Sequence, residues 1–160
     1  MINIKQAKKC YTSEVSIGPI TIDIPKAGFT SLIGPNGAGK STTLLMIGRL
    51  LNMDEGQIEV AGMNINSTKS SDLAKKLTIL RQENHYVTRL TVRQLVGFGR
   101  FPYSKGRLTN EDEQIISKYI DFLELTELEG RYLDELSGGQ RQRAYVAMVL
   151  CQETDYVLLD

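Results

Sequence analysis

The run Gly34-Pro35-Asn36-Gly37-Ala38-Gly39-Lys40-Ser41 fills every fixed position of the pattern G-x-x-x-x-G-K-[ST]. Glycines let the backbone turn so that successive N–H groups face phosphate oxygens. A helix opening near Lys40 adds its free N–H groups and the positive end of its dipole. Lys40 offers a point charge to the β- and γ-phosphates, and the Ser41 hydroxyl can ligate Mg2+. At ordinary residue usage the pattern arises by chance at only a few in about 100,000 positions. Asp160, closing the apolar run Tyr156-Val157-Leu158-Leu159, suits a second carboxylate that holds Mg2+. A second anion cradle is written at Leu136-Ser137-Gly138-Gly139-Gln140, followed by Arg141-Gln142-Arg143. Ser137 is an N-cap type, and two glycines leave the following amides bare. A capped helix start explains Ser137 but not the whole of Gly-Gly-Gln. A second γ-phosphate cradle that cannot fold back onto the first loop implies a head-to-tail dimer, each Ser137 serving its partner's nucleotide.

Such groups need a scaffold of strands and helices. Residues 15–17 and 20–24 read as two short strands around a Gly18-Pro19 turn, and 29–33 as a further strand leading into the phosphate loop. Residues 40–51 read as a helix, with Leu44, Leu45, Ile47, Leu50 and Leu51 on an apolar side. Strands follow at 57–60 and 77–80, with a short helix at 72–76 between them. Beyond residue 91 the pattern turns helical. Thr91 with Gln94, and Thr109 with Asp112, have the layout of capped helix starts. Residues 97–106, holding Pro102, read as a loop-like break. Helices are expected at 111–125 and 138–151, and a last strand at 156–160. The order is that of an α/β protein with a mostly parallel core sheet and a helical insertion between residues 82 and 137.

The 160 residues suit one domain, and 19 basic against 19 acidic side chains leave no net charge, which argues against a nucleic-acid partner. The two cysteines, Cys10 and Cys151, make no disulfide framework and lack metal-ligand spacing. No apolar run reaches membrane-spanning length, and the N-terminus has no signal-peptide layout, so the chain reads as cytosolic. The single histidine, His85, has no carboxylate or cysteine beside it and reads as a loop residue.

These motifs, in this order, resemble those of the ATP-binding cassette subunits of ABC transporters. Residues 136–140 match that family's signature, 34–41 its Walker A motif and 156–160 its Walker B motif; the resemblance spans residues 1–160. It implies a P-loop NTPase fold with a mostly parallel core sheet, an N-terminal antiparallel β part and an inserted helical subdomain. The division expected is a nucleotide-binding core at 1–82 and 138–160, with a helical subdomain at 83–137 that docks on membrane subunits. ATP and Mg2+ are the implied cofactors. Gly34, Asn36, Gly37, Ala38, Gly39, Lys40, Ser41 and Thr42 would hold the nucleotide, with Ser137, Gly138, Gly139 and Gln140 from across a dimer. Tyr11 stands where the family stacks an aromatic ring on adenine. Gln82 stands at the Q-loop position that senses Mg2+ and γ-phosphate. Lys40, Gln82 and Asp160 are the implied catalytic set, and Ser41, Gln82 and Asp160 the metal set.

Residues 99–103 and 91–96 most resemble importers of ferric siderophores, haem or cobalamin. The implied partners are a second cassette, membrane permease subunits and, indirectly, a solute-binding protein, with the subunit peripheral on the cytoplasmic face of the membrane. The alternatives are a non-transport ATPase of the same class and a non-catalytic nucleotide-binding module. No Asn-Lys-x-Asp motif supports a GTPase, and no long heptad run separates Lys40 from Ser137 as in chromosome-organising ATPases. The family's glutamate directly after Walker B and its later switch histidine have no counterpart among residues 1–160. The expectation is therefore a chain truncated after Asp160, able to contact nucleotide but not to turn it over, with C-terminal strands missing.

Overall fold

A computed structural model describes residues 1–81 and 89–160. The described residues form two compact units, Met1 to Leu77 with Asp160, and Thr78 to Leu159.

The first unit is built on a four-stranded sheet in the order β2-β1-β3-β4. β1 (Ile2–Cys10) lies between β2 (Ser16–Ile24) and β3 (Glu55–Val60), antiparallel to both, and β4 (Met63–Asn64) closes the far edge. Ile2, Ile4, Ala7, Ile58 and Val60 are buried, while most of β2 is exposed, as befits an edge strand. The expected turn at Gly18-Pro19 is instead part of a continuous β2. The pairing shifts by one residue beyond Ile4 and shifts back beyond Ala7, so a bulge at Gln6 (φ 51°) is compensated by one at Gly18 (φ 105°). A Cβ at Gly18 would stand 2.4 Å from the Ala7 carbonyl oxygen, so only glycine fits that approach. Pro19, lacking an N–H, is tolerated because β2 is an edge.

α1 (Lys40–Ile47) is shorter than expected. It ends at Gly48, and Arg49 (φ 54°) takes the left-handed position. The Arg49 N–H then donates to Met46 O at 3.0 Å and the Leu50 N–H to Leu45 O at 2.9 Å, the paired bonds of a Schellman ending. Leu50 consequently leaves the apolar side and is exposed. The helix buries Thr43, Met46 and Ile47. The strand expected at 29–33 does not form; Phe29 and Ile33 are 90% and 93% exposed. A strand needs a neighbour to satisfy its backbone groups, and none of the described strands pairs with this stretch.

α2 (Ser70–Leu73) precedes β5 (Leu77–Leu80), which pairs with β6 (Tyr156–Leu159) in a two-stranded sheet. The second unit has its own core around α3 (Val92–Gly97), α5 (Asn110–Phe122) and α6 (Gly138–Cys151), with Leu95, Val96, Ile116, Ile120, Leu125, Ala144 and Ala147 buried. All three helices open on capping boxes: Thr91 with Gln94 and Thr109 with Asp112 as read from the sequence, and Ser137, expected as a cap, with Gln140, whose side chain closes a box not expected from the sequence. The loop expected at 97–106 is partly helical, a 3-10 turn at Phe98–Arg100 running into α4 (Phe101–Ser104). Its hub is Arg100. The buried guanidinium donates to Asp112 Oδ1 at 2.9 Å and to the Cys151 carbonyl at 3.1 Å, and stacks 4.0 Å from the Tyr103 ring centroid. Beside it, a Cβ at Gly99 would meet the Met148 carbonyl oxygen at 2.3 Å. Residues 99–103 thus have a packing role inside this unit.

Compact units and motif-based division differ. α6 and β6 group with the helices by their contacts, whereas the sequence motifs assign 138–160 to the nucleotide core.

Candidate functional site

β1 ends at Cys10, and the chain turns back at 11–15, with the Tyr11 and Thr12 N–H groups both donating to Val15 O. This leaves Tyr11 about half exposed (51%), its hydroxyl 2.8 Å from Thr42 Oγ1 in the first turn of α1. One strand end and one helix start are thereby joined beside the phosphate loop. Residues 34–38 of that loop are exposed, as a cradle for an outside ligand must be. Gly37 (φ 82°) and Gly39 (φ 84°) both take left-handed backbone. At Gly39, the N-cap of α1, space is also closed: a Cβ would come 2.4 Å from Ile17 Cγ2. The alternation of β2 gives Ile17 as a strand residue, but nothing in the sequence says that it abuts the loop. Thr43, buried one turn into the helix, donates its hydroxyl to Gly39 O at 2.8 Å and fixes the loop from below.

Lys40 folds back over the loop, its ammonium donating to the carbonyls of Gly34 at 2.9 Å and Pro35 at 2.8 Å. Ser41 Oγ donates to Asp160 Oδ1 at 2.6 Å. The structure therefore brings together Tyr11, Gly34, Asn36, Gly37, Ala38, Gly39, Lys40, Ser41, Thr42 and Asp160 within the first unit. Residues 119 positions apart supply the hydroxyl and the carboxylate. Two hard oxygen donors side by side fit a magnesium ion, which favours carboxylate and hydroxyl oxygen over nitrogen or sulfur. No cluster of three or more His, Cys, Asp or Glu side chains suits a metal among the described residues. Gln82 and His85 lie outside the described residues.

The second cradle belongs to the second unit. Ser137 caps α6, accepting from the Gln140 N–H at 3.3 Å, while its own N–H donates to Gln140 Oε1 at 2.9 Å. The box engages the third amide of the helix; the N–H groups of Gly138 and Gly139 have no intrahelical acceptor. A Cβ at either glycine would meet nothing within 4 Å, so the fold itself does not demand glycine there. Two arginines not singled out by the sequence flank this turn. Arg89 donates to Asp134 and Glu135, and Arg141 to the carbonyls of Leu133 and Leu136.

A sequence model of the family described as ABC transporter matches residues 17–160. The chain belongs to that family. Among curated relatives, the petrobactin import ATP-binding protein FatE of Bacillus anthracis is 82% identical over 160 residues, covering all of this chain and 64% of that protein. The petrobactin import ATP-binding protein YclP of Bacillus subtilis is 47% identical with the same coverage. The ferric enterobactin transport ATP-binding protein FepC of Escherichia coli is 41% identical over 143 residues, covering 88% of this chain and 53% of that protein. The chain thus spans less than two thirds of the length of the curated relatives it matches. Among solved structures, the dimeric post-hydrolysis ATP-binding cassette MJ0796 bound to ADP and Pi aligns with a TM-score of 0.84 at 27% identity, covering 100% of this chain and 73% of that one. A nucleotide-free ATP-binding cassette from an ABC transporter aligns with a TM-score of 0.83 at 25% identity, covering 99% and 68%. This ABC transporter family member has the α/β cassette fold, with its antiparallel N-terminal sheet as expected. Among the described residues no helix is long and apolar enough to cross a membrane.

Proposed function

We propose that this protein binds and hydrolyses ATP as the energy-supplying subunit of a membrane importer for iron–siderophore complexes. The observation that carries the nucleotide reading is the direct bond between Ser41, one residue past Lys40 at the start of α1, and Asp160, the residue after β6. Family relatives named for petrobactin and ferric enterobactin transport support the cargo class.

The roles are those the family resemblance implies for these positions. Loop amides from Gly34 to Thr42 surround the phosphates, and Lys40 exchanges its two internal carbonyl bonds for phosphate oxygens. Mg2+, when bound, neutralises charge on the β- and γ-phosphate oxygens, and Ser41 and Asp160 would hold it, with Gln82. The half-exposed ring of Tyr11 would stack on adenine. Ser137, Gly138, Gly139 and Gln140 would meet the γ-phosphate held by a second cassette, so that ATP bridges a head-to-tail pair. Residues 83–137 would dock on permease subunits, placing the protein on the cytoplasmic face of the membrane. A solute-binding protein would deliver cargo to those subunits. The core would comprise residues 1–82 and 138–160.

Titration with a fluorescent ATP analogue tests the nucleotide site. Lys40→Ala is expected to weaken binding at least about tenfold, the loss of a charged hydrogen-bond partner, with the melting temperature unchanged. Unaltered affinity would overturn the assignment. Residues 1–160 produced alone are expected to bind Mg-ATP without turnover, because no glutamate within them follows Asp160 to orient water. Lys40-dependent hydrolysis at about 1 per second or faster would contradict this.

A further inference from the structure

The turn that delivers Ser137 to the start of α6 is held from two sides. On one side, Arg89 Nε donates to Asp134 Oδ2 at 2.9 Å and Oδ1 at 3.2 Å, and its Nη2 donates to Glu135 Oε1 at 3.1 Å. The same guanidinium lies 4.0 Å from the Tyr132 ring centroid. Glu135 is engaged twice, because its Oε2 accepts from the Tyr132 N–H at 3.1 Å. The segment carrying Arg89 is laced to this turn by backbone: Leu133 N–H donates to Leu90 O at 2.9 Å, Val92 N–H to Arg131 O at 3.0 Å, and Thr91 bridges Tyr132. On the other side, Arg141 reaches back from α6, its Nε donating to Leu133 O at 3.1 Å and its Nη2 to Leu136 O at 3.4 Å. Leu133 and Leu136 themselves are buried in the helical core.

Arg89 (57% exposed) and its acidic partners are open to water. Exposed ion pairs add little to folding stability. A planar fork that binds two carboxylates and stacks on a ring is instead a device for fixing geometry. What it fixes is the turn immediately before Ser137, Gly138 and Gly139, whose amides must be held in place to serve as anion donors.

We propose that Arg89 and Arg141 are positioning residues for the second anion cradle: they clamp the 132–136 turn, so that the Ser137 cap and the glycine amides meet a nucleotide held by another copy in a fixed pose. This rests on the nucleotide-bridged pairing proposed above. It predicts a split between two readouts. Nucleotide binding at the first loop depends on residues of the other unit, whereas pairing and turnover depend on the cradle.

The test uses the full-length protein with three measurements: binding of a fluorescent ATP analogue, ATP-dependent self-association by sedimentation, and steady-state hydrolysis. Arg89→Ala is expected to leave analogue affinity within about twofold and the melting temperature nearly unchanged, while lowering association and kcat by about tenfold to a hundredfold, the cost of a small misplacement in a preorganised site. Asp134→Ala combined with Arg89→Ala is expected to lose no more than either alone, since both break one clamp. Arg89→Lys, which keeps charge but not the fork, is expected to recover only part of the loss. Arg141→Ala is expected to show the same split. Pairing and turnover at wild-type levels in Arg89→Ala would overturn the inference. A parallel loss of analogue affinity would also overturn it, by showing a general structural role. If the unaltered protein neither pairs nor turns over with ATP, the proposed function fails and the inference with it.

Discussion

Gly39 shows how a single residue can be fixed twice. Its left-handed backbone disfavours any side chain, and Ile17 occupies the space where a Cβ would go. Gly37 has the same backbone hand but open space around it. The two substitutions therefore separate strain from crowding. Gly37→Ala is expected to be tolerated at a cost of about 1 kcal/mol, the penalty for left-handed backbone with a Cβ. Gly39→Ala is expected to cost about 1–3 kcal/mol more, the usual toll of overpacking, and to displace the loop. Thermal melts compare the stabilities, and ATP-analogue titration reads the displacement; equal behaviour of the two variants would refute the steric account. At this scale the sequence was highly legible. The fixed spacing from Gly34 to Ser41 named its own chemistry, and Ser137 named itself as a cap, whereas Gln140's part in that cap shows only in the structure. Ile17, Thr43, Arg89 and Arg141 were not legible, because each matters through a neighbour distant in the chain or through a backbone carbonyl that leaves no sequence pattern.

Asp112 serves two elements with one carboxylate. One oxygen accepts from the Thr109 N–H and hydroxyl at the start of α5, and the other accepts from Arg100 in the 3-10 turn that follows α3. The Thr109 N–H bond, with the nearby guanidinium, holds its carboxyl below the usual carboxylate range despite burial. A lowered folded value means that this contribution is fully present above the unfolded carboxyl's pKa, about 3.9, and is lost as pH falls through the folded value. Asp112→Ala is expected to destabilise the protein at neutral pH by about 1–3 kcal/mol, since the α5 cap is lost and Arg100 keeps as acceptors only the more distant Glu153 Oε2 at 3.3 Å and the Cys151 carbonyl. Denaturant titrations between pH 7 and pH 3 check this. The unaltered protein should lose stability below about pH 4 more steeply than the variant, and parallel acid limbs would count against the assignment. Capping boxes made the starts of α3 and α5 readable in advance, and the cap residue Ser137 that of α6. The 29–33 stretch was misread for the opposite reason: apolar alternation reports only that a segment can be a strand, and pairing decides whether it becomes one. The 97–106 stretch was misread because Pro102 and three glycines suggested a loop, while Pro102 stands at the first turn of α4, where its missing N–H costs nothing.

Across the whole molecule, the two cysteines differ as reporters of folding. Cys10 is exposed, whereas Cys151 is buried at the end of α6, with burial pushing its thiol up to about 12. At pH 8 only about one Cys151 thiol in 10,000 would be ionised, and reagent must wait for the structure to open. A disulfide-exchange dye is expected to label one thiol promptly in the native protein and the second only slowly, with both labelled at once in denaturant. Prompt labelling of both in the native state would contradict the packing around α6. The balanced charge read from the composition says nothing of this asymmetry, since it depends on where each residue falls in the fold.

The compensating bulges of the first sheet have a consequence for how the protein can change over evolutionary time. Between Gln6 and Gly18 the two strands each carry one extra residue, so their parity is even, and Ile17 regains the register set by Ile2 and Ile24. Deleting Gly18 alone would make the count odd and swing Ile17 to the opposite face of the sheet, away from Gly39. Insertions or deletions here are therefore expected to be accepted only in matched pairs, one on each strand. The edge of an outwardly unremarkable hairpin thus acts as a length gauge for the phosphate loop.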